Sequence, residues 1–360
     1  MSNFDYYVFV GTYTKPMWLD KHENSEGIYT LEYNSSTGEL KHKSSIMGDQ
    51  NPSFLAIHPN GKSLYSVGEN EGGTVSSFSI NKETGQLTQL NSQSTKSIGP
   101  CHLSVDSTGK FLLVANYSGG ASTMLPINEN GSIKPASSFI QHSGSSIDPE
   151  RQEGPHAHSI NIDQNNNFAL VPDLGLDKIL IFKIDLENGK LAPNDIPHGE
   201  VKPGSGPRHL DFHPSGELVY VLNEISATIT AFSYNQKTAE MKEIETVSTL
   251  PKNFSAKSCA DIHISNDGKY VYASNRGHDS IVIFNINENN GKMKYVAHQS
   301  TFGGSPRNFG LDPDGNFLLA ANQDSSDIYS FEVDKKSGLL SSTDFRIEVP
   351  YPVCVKFLKK

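Results

Sequence analysis

Arginine, glutamate and histidine side chains stand beside short apolar runs of this sequence, where they could bind and transform a small anion. Arg208, Arg276 and Arg307 offer guanidinium groups, which bind carboxylate or phosphate through two parallel hydrogen bonds. Glu224 offers a carboxylate that could accept a proton, and nearby histidines could exchange one near neutral pH. Because guanidinium groups repel one another, their convergence on one site would favour an anionic ligand between them.

The composition of the chain excludes several classes of function. A net charge of -10 argues against nucleic acid or an anionic membrane as a partner, since both require a cationic protein face. No stretch approaches the run of about 20 apolar residues that a membrane span needs, and the first residues do not form a secretory signal. Cys101, Cys259 and Cys354 have no CxxC spacing and are expected to be core residues. A cytoplasmic location is therefore expected.

A β-hairpin that recurs along the chain must position the charged side chains. It is clearest from Gly206 to Glu224, where two strand-like apolar runs flank a His-Pro-Ser-Gly turn. Equivalent hairpins recur with a period of about 50 residues, and two further apolar runs follow most of them. Four short strands in each repeat indicate the blade of a β-propeller.

The two ends of the sequence complete the set of repeats. Residues 351–357 match only the first strand of a repeat, and residues 6–11 match only the second. A blade assembled from both ends would close the ring and leave no free sheet edges. We therefore predict an all-β fold, a single seven-bladed β-propeller domain over residues 1–360 with four antiparallel strands in each blade. A two-sheet sandwich does not explain so many registered repeats.

The predicted fold gathers one position of every repeat at the same mouth of the central channel. In an antiparallel hairpin the start of the first strand lies beside the end of the second, so departures from the repeat at these positions indicate function. The substrate-binding candidates selected in this way are His102, Asp173, His209, Asn223, Asn275, Arg307 and Gln323. Asparagine recurs at one of these positions and also suits a structural role, and His102 and His209 could brace neighbouring blades.

Familiar catalytic motifs are missing from the sequence. It contains no Gly-x-Ser-x-Gly elbow, no His-Glu-x-x-His pair and no Rossmann glycine pattern, so serine hydrolases, zincins and dinucleotide enzymes gain no support. No cluster of carboxylates has the spacing of a calcium site. We expect neither a cofactor nor a bound metal.

Several motifs resemble those of a known family. They are Gly154-Pro-His-Ala-His158, Gly206-Pro-Arg-His209, Asn223-Glu224, Ser274-Asn-Arg276 and Ser305-Pro-Arg-Asn-Phe309. Together they closely resemble the seven-bladed propeller lactonases, the propeller type of 6-phosphogluconolactonase, from about residue 7 to residue 357. This family is similar in turn to the fungal carboxymuconate lactonising cyclases, whose catalytic set corresponds here to His156 or His158, Arg208, Glu224 and Arg276.

The resemblance implies a hydrolase that opens 6-phosphoglucono-δ-lactone to 6-phosphogluconate in the pentose phosphate pathway. We expect the protein to be a monomer or a weak homo-oligomer. Glu224 is one candidate base, but neighbouring arginines would lower its pKa, so a neutral His156 or His158 is a rival. The loop from Gln141 to Glu153 could form a lid over the site. Two alternatives stay open: a cyclase or lyase acting on a carboxymuconate-type lactone, and a propeller that only binds protein partners.

Overall fold

The computed structural model describes residues 4–15, 25–254 and 258–360, and every regular element in these ranges is a β-strand. The strands form seven antiparallel sheets of four, arranged in a ring as the blades of a propeller. The predicted all-β architecture with seven blades is therefore confirmed. No helix in the described part of the chain has the length and apolar character of a membrane span.

The first eleven strands cover the N-terminal part of one blade and two whole blades: β1 (Tyr6–Thr12), β2 (Ile28–Tyr33), β3 (Leu40–Ile46), β4 (Leu55–Ile57), β5 (Ser63–Gly68), β6 (Thr74–Ile80), β7 (Leu87–Ser94), β8 (Pro100–Val105), β9 (Phe111–Asn116), β10 (Ala121–Pro126) and β11 (Ser138–Gln141). The third and fourth whole blades contain β12 (Asn161–Ile162), β13 (Phe168–Asp173), β14 (Lys178–Asp185), β15 (Lys190–Glu200), β16 (Pro207–Phe212), β17 (Leu218–Asn223), β18 (Thr228–Tyr234) and β19 (Met241–Ser248). The remaining strands are β20 (Cys259–Ile264), β21 (Tyr270–Asn275), β22 (Ser280–Ile286), β23 (Met293–Ser300), β24 (Pro306–Leu311), β25 (Phe317–Asn322), β26 (Asp327–Val333), β27 (Leu340–Glu348) and β28 (Pro352–Lys359).

The turn between the first two strands of a blade has a chemistry of its own. Asp106 Oδ1 accepts hydrogen bonds from the backbone N–H groups of Lys110 and Phe111, both at 2.7 Å, which fixes the turn before β9. Gly109 in this turn has a φ of 72°, a conformation that glycine adopts without strain. His58 Nε2 lies 2.9 Å from Gly109 O and joins the turns of consecutive blades, so this imidazole has a structural role.

Apolar side chains of the inner three strands fill the spaces between neighbouring blades. Between the fourth and fifth whole blades, Tyr220 and Leu222 of β17 belong to one buried cluster with Val271 and Ala273 of β21. Burial of each large aliphatic side chain contributes about 1.5–3 kcal/mol relative to exposure. Each blade therefore depends on its neighbours for its core, and the channel mouth is held by a rigid ring.

The seventh blade joins the two ends of the chain. Strand β28 pairs with β1 from Tyr6, opposite Lys359, to Thr12, opposite Pro352. In the sheet of this blade β28 is followed by β1, β2 and β3, so the C-terminal strand is the innermost one. It also contacts β4 and β24 in the two neighbouring blades, which closes the ring as the sequence predicts.

We expect removal of residues 351–360 to abolish cooperative folding, because it takes away the innermost strand, exposes the edge of β1 and uncovers β4 and β24 in the neighbouring blades. The measurement is thermal unfolding of the purified truncated protein, with aggregation followed by light scattering. Deletion of Lys360 alone is the control, since its ion pair with Glu32 lies at the surface and is worth about 0–1 kcal/mol. A truncated protein that stays monodisperse and melts cooperatively would show that the ring does not need this closure.

Candidate functional site

A β-bulge near the start of the innermost strand aims arginines at the channel mouth. In β16 the pairing register shifts between Pro207 and His209, so that Arg208 is the extra residue. Gly206 precedes it with a φ of 65°, and the proline ring then fixes the next backbone angle. The same shift in β24 makes Arg307 the extra residue of the sixth whole blade. The Gly-Pro-Arg and Ser-Pro-Arg motifs thus set the direction of both side chains.

Glu224 forms the centre of the mouth, where three arginines surround its carboxylate. Arg208 Nε donates to Oε2 at 2.9 Å, and Arg276 Nη2 lies 3.1 Å from the same oxygen. Arg151 Nη2 donates to Oε1 at 2.8 Å from the loop between β11 and β12. The side chains of Glu224 and Arg208 are 8% and 3% exposed, so these two charged groups are compensated by each other and their protein neighbours and contact little solvent.

This arrangement keeps Glu224 ionised. Burial alone would raise the pKa of Glu224, but the positive charges of Arg276, Arg208 and Arg151 outweigh it and hold that pKa well below its ordinary value. Burial lowers the pKa of Arg276 to about 10, against the opposing effect of Glu224, so its guanidinium stays charged at neutral pH. Glu224 is therefore an anchor for cations and a weak base.

Of the two candidate histidines, His158 is the one that faces Glu224. Its Nε2 lies 3.9 Å from Glu224 Oε2, and its Nδ1 lies 3.8 Å from Cys101 Sγ. Burial, followed by the positive charge of Arg208, lowers the pKa of His158 well below its ordinary value. The imidazole is consequently neutral at physiological pH and can accept a proton.

His156 lies outside this group. Its ring stacks on Tyr117 at 4.6 Å between centroids, Nδ1 lies 3.2 Å from Tyr117 O, and Nε2 lies 3.0 Å from Glu153 Oε1. Both ring nitrogens are therefore engaged by residues outside the Glu224 group. The structure thus brings His158, and not His156, to the Glu224 carboxylate.

A chain of hydrogen bonds through His209 and Asp261 fixes the guanidinium group of Arg208. Arg208 Nη1 donates to His209 Nε2 at 3.2 Å, so this nitrogen must carry a lone pair, and His209 Nδ1 donates to Asp261 Oδ1 at 2.7 Å. Asp261 Oδ2 accepts from His263 Nε2 at 3.0 Å and from Asn308 Nδ2. Burial and the neighbouring Arg208 lower the pKa of His209 to about 4, against the opposing effect of Asp261. His209 thus acts as a neutral acceptor whose tautomer is set by Asp261.

A second carboxylate stands on the opposite side of the mouth, with different partners. Tyr13 Oη donates to Glu69, at 3.1 and 3.0 Å from its two oxygens, and Ser53 Oγ also donates to this carboxylate. We call Tyr13, Ser53 and Glu69 the Glu69 wall. The guanidinium of Arg307 lies over the Tyr13 ring, 5.4 Å from its centroid. Gly11 allows the end of β1 to pack closely against the segment that carries Ser53, since a Cβ at Gly11 would lie 2.7 Å from Pro52 O.

The two sides of the mouth enclose a small cavity of about 20 Å³, enough for about one water molecule. Its lining comprises Tyr13, Ser53, Phe54, Glu69, Cys101, His158, Arg208, His209, Arg307 and Val353. Phe54 and His209 also line a larger space of about 420 Å³ deeper in the channel, so their rings form the floor of the cavity. Among the described residues, no group of three His, Cys, Asp or Glu side chains is arranged to hold a metal ion.

Asp173 is a predicted mouth residue that does not line the cavity. Its fully buried carboxylate lies 2.7 Å from His142 Nδ1 and accepts a hydrogen bond from the backbone N–H of His156, also at 2.7 Å. These contacts hold the two ends of the segment that contains Arg151. Asp173 therefore positions the loop that crosses the mouth, and the loop predicted as a lid does reach the site through Arg151.

Four other candidates make their contacts within or between blades. Asn223 Nδ2 donates to two threonine hydroxyls of β18 at 3.0 Å, and Asn275 Nδ2 donates to a backbone carbonyl at the same distance. Gln323 Nε2 donates to the carboxylate of the following aspartate at 2.8 Å. The His102 ring packs on Phe54, 4.2 Å between centroids, and lines the deeper part of the channel. The asparagines occupy the structural role that their recurrence suggests.

Sequence reasoning missed Arg151 and the Glu69 wall. Arg151 lies in a loop that has no counterpart in the other repeats, so its direction could not be read from the period. Glu69 carried a readable signal, because it follows β5 at the same position at which Glu224 follows β17. Tyr13 follows β1 near the end of the split blade, where the repeat is incomplete, and only the closed ring brings it to the mouth.

Comparison with known proteins agrees with the fold. A family model described as lactonase, 7-bladed beta-propeller, matches residues 7–357. The chain is 39% identical over 355 residues to the 6-phosphogluconolactonase of Bacillus subtilis, covering 98% of both chains. The crystal structure of a Bacteroides fragilis protein is similar with a TM-score of 0.92 and 40% identity, over 100% of this chain and 99% of that one. The periplasmic gluconolactonase of Pseudomonas aeruginosa is similar with a TM-score of 0.91 and 30% identity, over 98% and 99%.

We expect Asp261→Asn to switch the tautomer of His209. If the oxygen of the new amide accepts from His209, the amide NH₂ group faces the N–H donors of His263 and Asn308, so that donor meets donor. If the amide is flipped, its NH₂ group faces His209 Nδ1, which must then act as the acceptor. The imidazole consequently carries its proton on Nε2, facing Arg208. The measurement is the ¹⁵N NMR signal pattern of the His209 ring. Asp211→Asn is the matched control, because the hydrogen bonds that Asp211 accepts within the described part of the chain come from the backbone N–H groups of Phe212 and Ile264. An unchanged Nδ1–H tautomer in Asp261→Asn would contradict the assignment.

Proposed function

This chain belongs to the family of seven-bladed β-propeller lactonases, and we propose that it hydrolyses 6-phosphoglucono-δ-lactone to 6-phosphogluconate. One observation supports the proposal most directly: a neutral imidazole, that of His158, lies 3.9 Å from a glutamate that holds three arginines at the channel mouth. This arrangement unites a proton acceptor with an unusual concentration of anion-binding groups. The name of the Bacillus subtilis relative supports the same substrate.

The reaction sets requirements that the site residues can meet. Water must attack the lactone carbonyl carbon and lose a proton, the carbonyl oxygen gains negative charge, and the ring oxygen must leave and gain a proton. Guanidinium groups close to the carbonyl would stabilise the developing charge. Arg276 is suited to this task, because its buried Nε finds no hydrogen-bond acceptor among the described residues and one of its terminal nitrogens is already fixed by Glu224.

His158 is the base that we assign. A general base works best when its neutral form dominates at the working pH and its lone pair is accessible. His158 is neutral and borders the cavity, whereas both oxygens of Glu224 are engaged by arginines. Glu224 then orients Arg208 and Arg276 and accepts a hydrogen bond from the attacking water.

Arg151 is the group that we assign to the phosphate, together with Arg307. The cavity of about 20 Å³ is far smaller than a phosphorylated sugar lactone, so a group that closes the mouth must move on binding. The Arg151 side chain is 44% exposed, compared with 16% for Arg276, and it can leave Glu224 because Arg208 and Arg276 still compensate that carboxylate. A phosphate dianion at the mouth would replace the carboxylate as its partner. No carboxylate oxygen of the described residues lies within 4.0 Å of Arg307, which leaves its guanidinium able to bind the same anion.

Three further expectations from the sequence accompany this proposal. A cytoplasmic location and a place in the pentose phosphate pathway stay predictions, as does a monomeric or weakly associated state. The similarity to a gluconolactonase makes the unphosphorylated lactone the natural competing substrate. Carboxymuconate lactone tests the alternative that the arginines bind a dicarboxylate.

The experiment measures hydrolysis of 6-phosphogluconolactone, gluconolactone and carboxymuconate lactone, each corrected for the uncatalysed rate. We expect the phosphorylated lactone to have the highest kcat/KM, and we expect Arg151→Met to raise KM for it by about tenfold, the equivalent of about 1.4 kcal/mol, with a much smaller effect on gluconolactone. Arg346→Met is the matched control, since Arg346 is similarly exposed on the outer strand β27. Equal effects of Arg151→Met on both sugar lactones would remove its phosphate role, and a wild-type protein inactive on all three lactones would overturn the proposed function.

The pH dependence of kcat/KM distinguishes the two candidate bases. The base must be neutral, so activity falls only when the pH drops below its pKa, and for His158 this acid limb lies well below pH 6.5. We expect His158→Gln to lower kcat by about 10²- to 10⁴-fold and to abolish the acid limb. Glu224→Gln should also lose activity and unfold more easily, because its arginines lose their buried partner, but any residual activity should keep the limb.

His156→Gln serves as the comparison for these two variants, and its effect should be much smaller because its ring lies against Tyr117. An acid limb that survives in His158→Gln and disappears in Glu224→Gln would reverse the assignment.

A further inference from the structure

The Glu69 wall presents a second carboxylate to the cavity, and Glu69 has no role in the proposed binding of the phosphate or activation of the water. Glu69 follows β5 in the first whole blade, and Glu224 occupies the corresponding position of the fourth. Their partners differ completely. Glu224 contacts three guanidinium groups, whereas Glu69 contacts the hydroxyl groups of Tyr13 and Ser53 and has no basic nitrogen of the described residues within 4.0 Å.

The position of Glu69 places it within reach of anything bound in the cavity. Glu69, Tyr13 and Ser53 line the same space of about 20 Å³ as His158 and Arg208. A group that occupies this space touches the proton acceptor on one side and the Glu69 wall on the other. The two proton-transfer steps of lactone hydrolysis occur on different oxygens, the attacking water and the departing ring oxygen. His158 and Glu69 thus place an ionisable group on each side of the cavity.

The surroundings of Glu69 suit a carboxylic acid that gains and loses a proton. Burial raises the pKa of Glu69 and outweighs the opposing effects of Arg307 on β24, of the Ser53 and Tyr13 hydroxyls, and of Arg208 on β16. Cys101 on β8 also borders the cavity, as a thiol whose pKa is raised by burial, so it stays neutral.

The hydroxyl partners of Glu69 can serve both of its forms. A serine hydroxyl can donate or accept, so the Ser53 contact is compatible with the carboxylate and with the protonated acid. Burial raises the pKa of Tyr13, which keeps its phenol protonated as a donor.

We propose that Glu69 is a further catalytic residue, the general acid that protonates the ring oxygen as the lactone opens, and this role rests on the proposed lactonase function. The oxygen of water bonds to C1 while the π electron pair of the carbonyl group moves onto its oxygen and His158 takes one of the water protons. The carbonyl group then re-forms as the bond between C1 and the ring oxygen breaks; the electron pair of that bond stays on the ring oxygen, and the proton of Glu69 completes the C5 hydroxyl group. The new carboxylic acid ionises to solvent, and the proton held by His158 passes through water in the cavity to Glu69, which restores the starting state.

This assignment complements that of Glu224. Two carboxylates in contrasting environments divide the work of an active site, because one is held ionised while the other can be protonated at the pH of the reaction. Glu224 has three guanidinium groups in contact and stays charged, whereas the carboxylate of Glu69 is hydrogen-bonded to hydroxyl groups and has Arg307 and Arg208 only at a greater distance. The leaving ring oxygen would become an alkoxide without a donor, so a proton donor at this point lowers the barrier directly.

The test compares wild type with Glu69→Gln on 6-phosphogluconolactone over a range of pH. A general acid must be protonated, so wild-type kcat should fall as the pH rises through the pKa of Glu69. We expect Glu69→Gln to lower kcat by about 10²-fold or more with KM nearly unchanged, and to remove this alkaline limb. Glu332→Gln, at an exposed position of β26, is the matched control and should behave as wild type.

A second variant keeps the proposal testable if Glu69→Gln folds poorly. Tyr13→Phe removes the phenol that stabilises the ionised form of Glu69, so the pKa of Glu69 should rise and the alkaline limb should move to higher pH. A wild-type kcat and alkaline limb in Glu69→Gln, or an unmoved limb in Tyr13→Phe, would overturn the role of Glu69 while leaving the lactonase function intact. A wild-type protein without lactonase activity would instead overturn the proposed function on which this role depends.

Discussion

The buried carboxylate of Glu224 is the constraint on which the channel mouth depends. Its oxygens contact guanidinium groups from three separate segments: the loop before β12, the start of β16 and the end of β21. Removing the carboxylate would leave the buried guanidinium groups of Arg208 and Arg276 without compensation, which costs about 3–5 kcal/mol. The cluster therefore ties three neighbouring blades together at the place where substrate would bind. It also keeps the site cationic in a protein whose net charge is -10, so the anion-binding character is local.

The propeller gives this cluster its rigidity and its asymmetry. Each blade presents the same hairpin end to the channel, and in β16 and β24 a bulge at the start of the inner strand turns an arginine towards the mouth. Variation at a few equivalent positions then creates an arginine-rich side around Glu224 and a hydroxyl-rich side around Glu69. The second side exists only because β28 and β1 close the ring, which brings Tyr13 and Ser53 together. Closure of the ring therefore also assembles this side of the site.

The sequence predicted the fold and the Glu224 cluster because both follow from the repeat. Period and turn chemistry give the number of blades, and the position of a residue within the hairpin gives its place at the mouth. The direction of a polar side chain at a strand end does not follow from the period. Asp173 turns towards His142 and Asn223 towards β18, since each finds better hydrogen bonds inside the protein than in the channel. Arg151 was beyond prediction because an irregular loop carries it across the mouth.

We propose that three arginines keep Glu224 ionised, so that it organises the site and leaves proton transfer to its neighbours. The most direct measurement is a pH titration of the side-chain carboxyl carbon of Glu224 by ¹³C NMR, with the signal assigned from its absence in Glu224→Gln. We expect a chemical shift typical of a carboxylate that stays constant from neutral pH down to the acid limit of the folded state. A titration with a midpoint at or above the ordinary glutamate value of about 4.3 would contradict it.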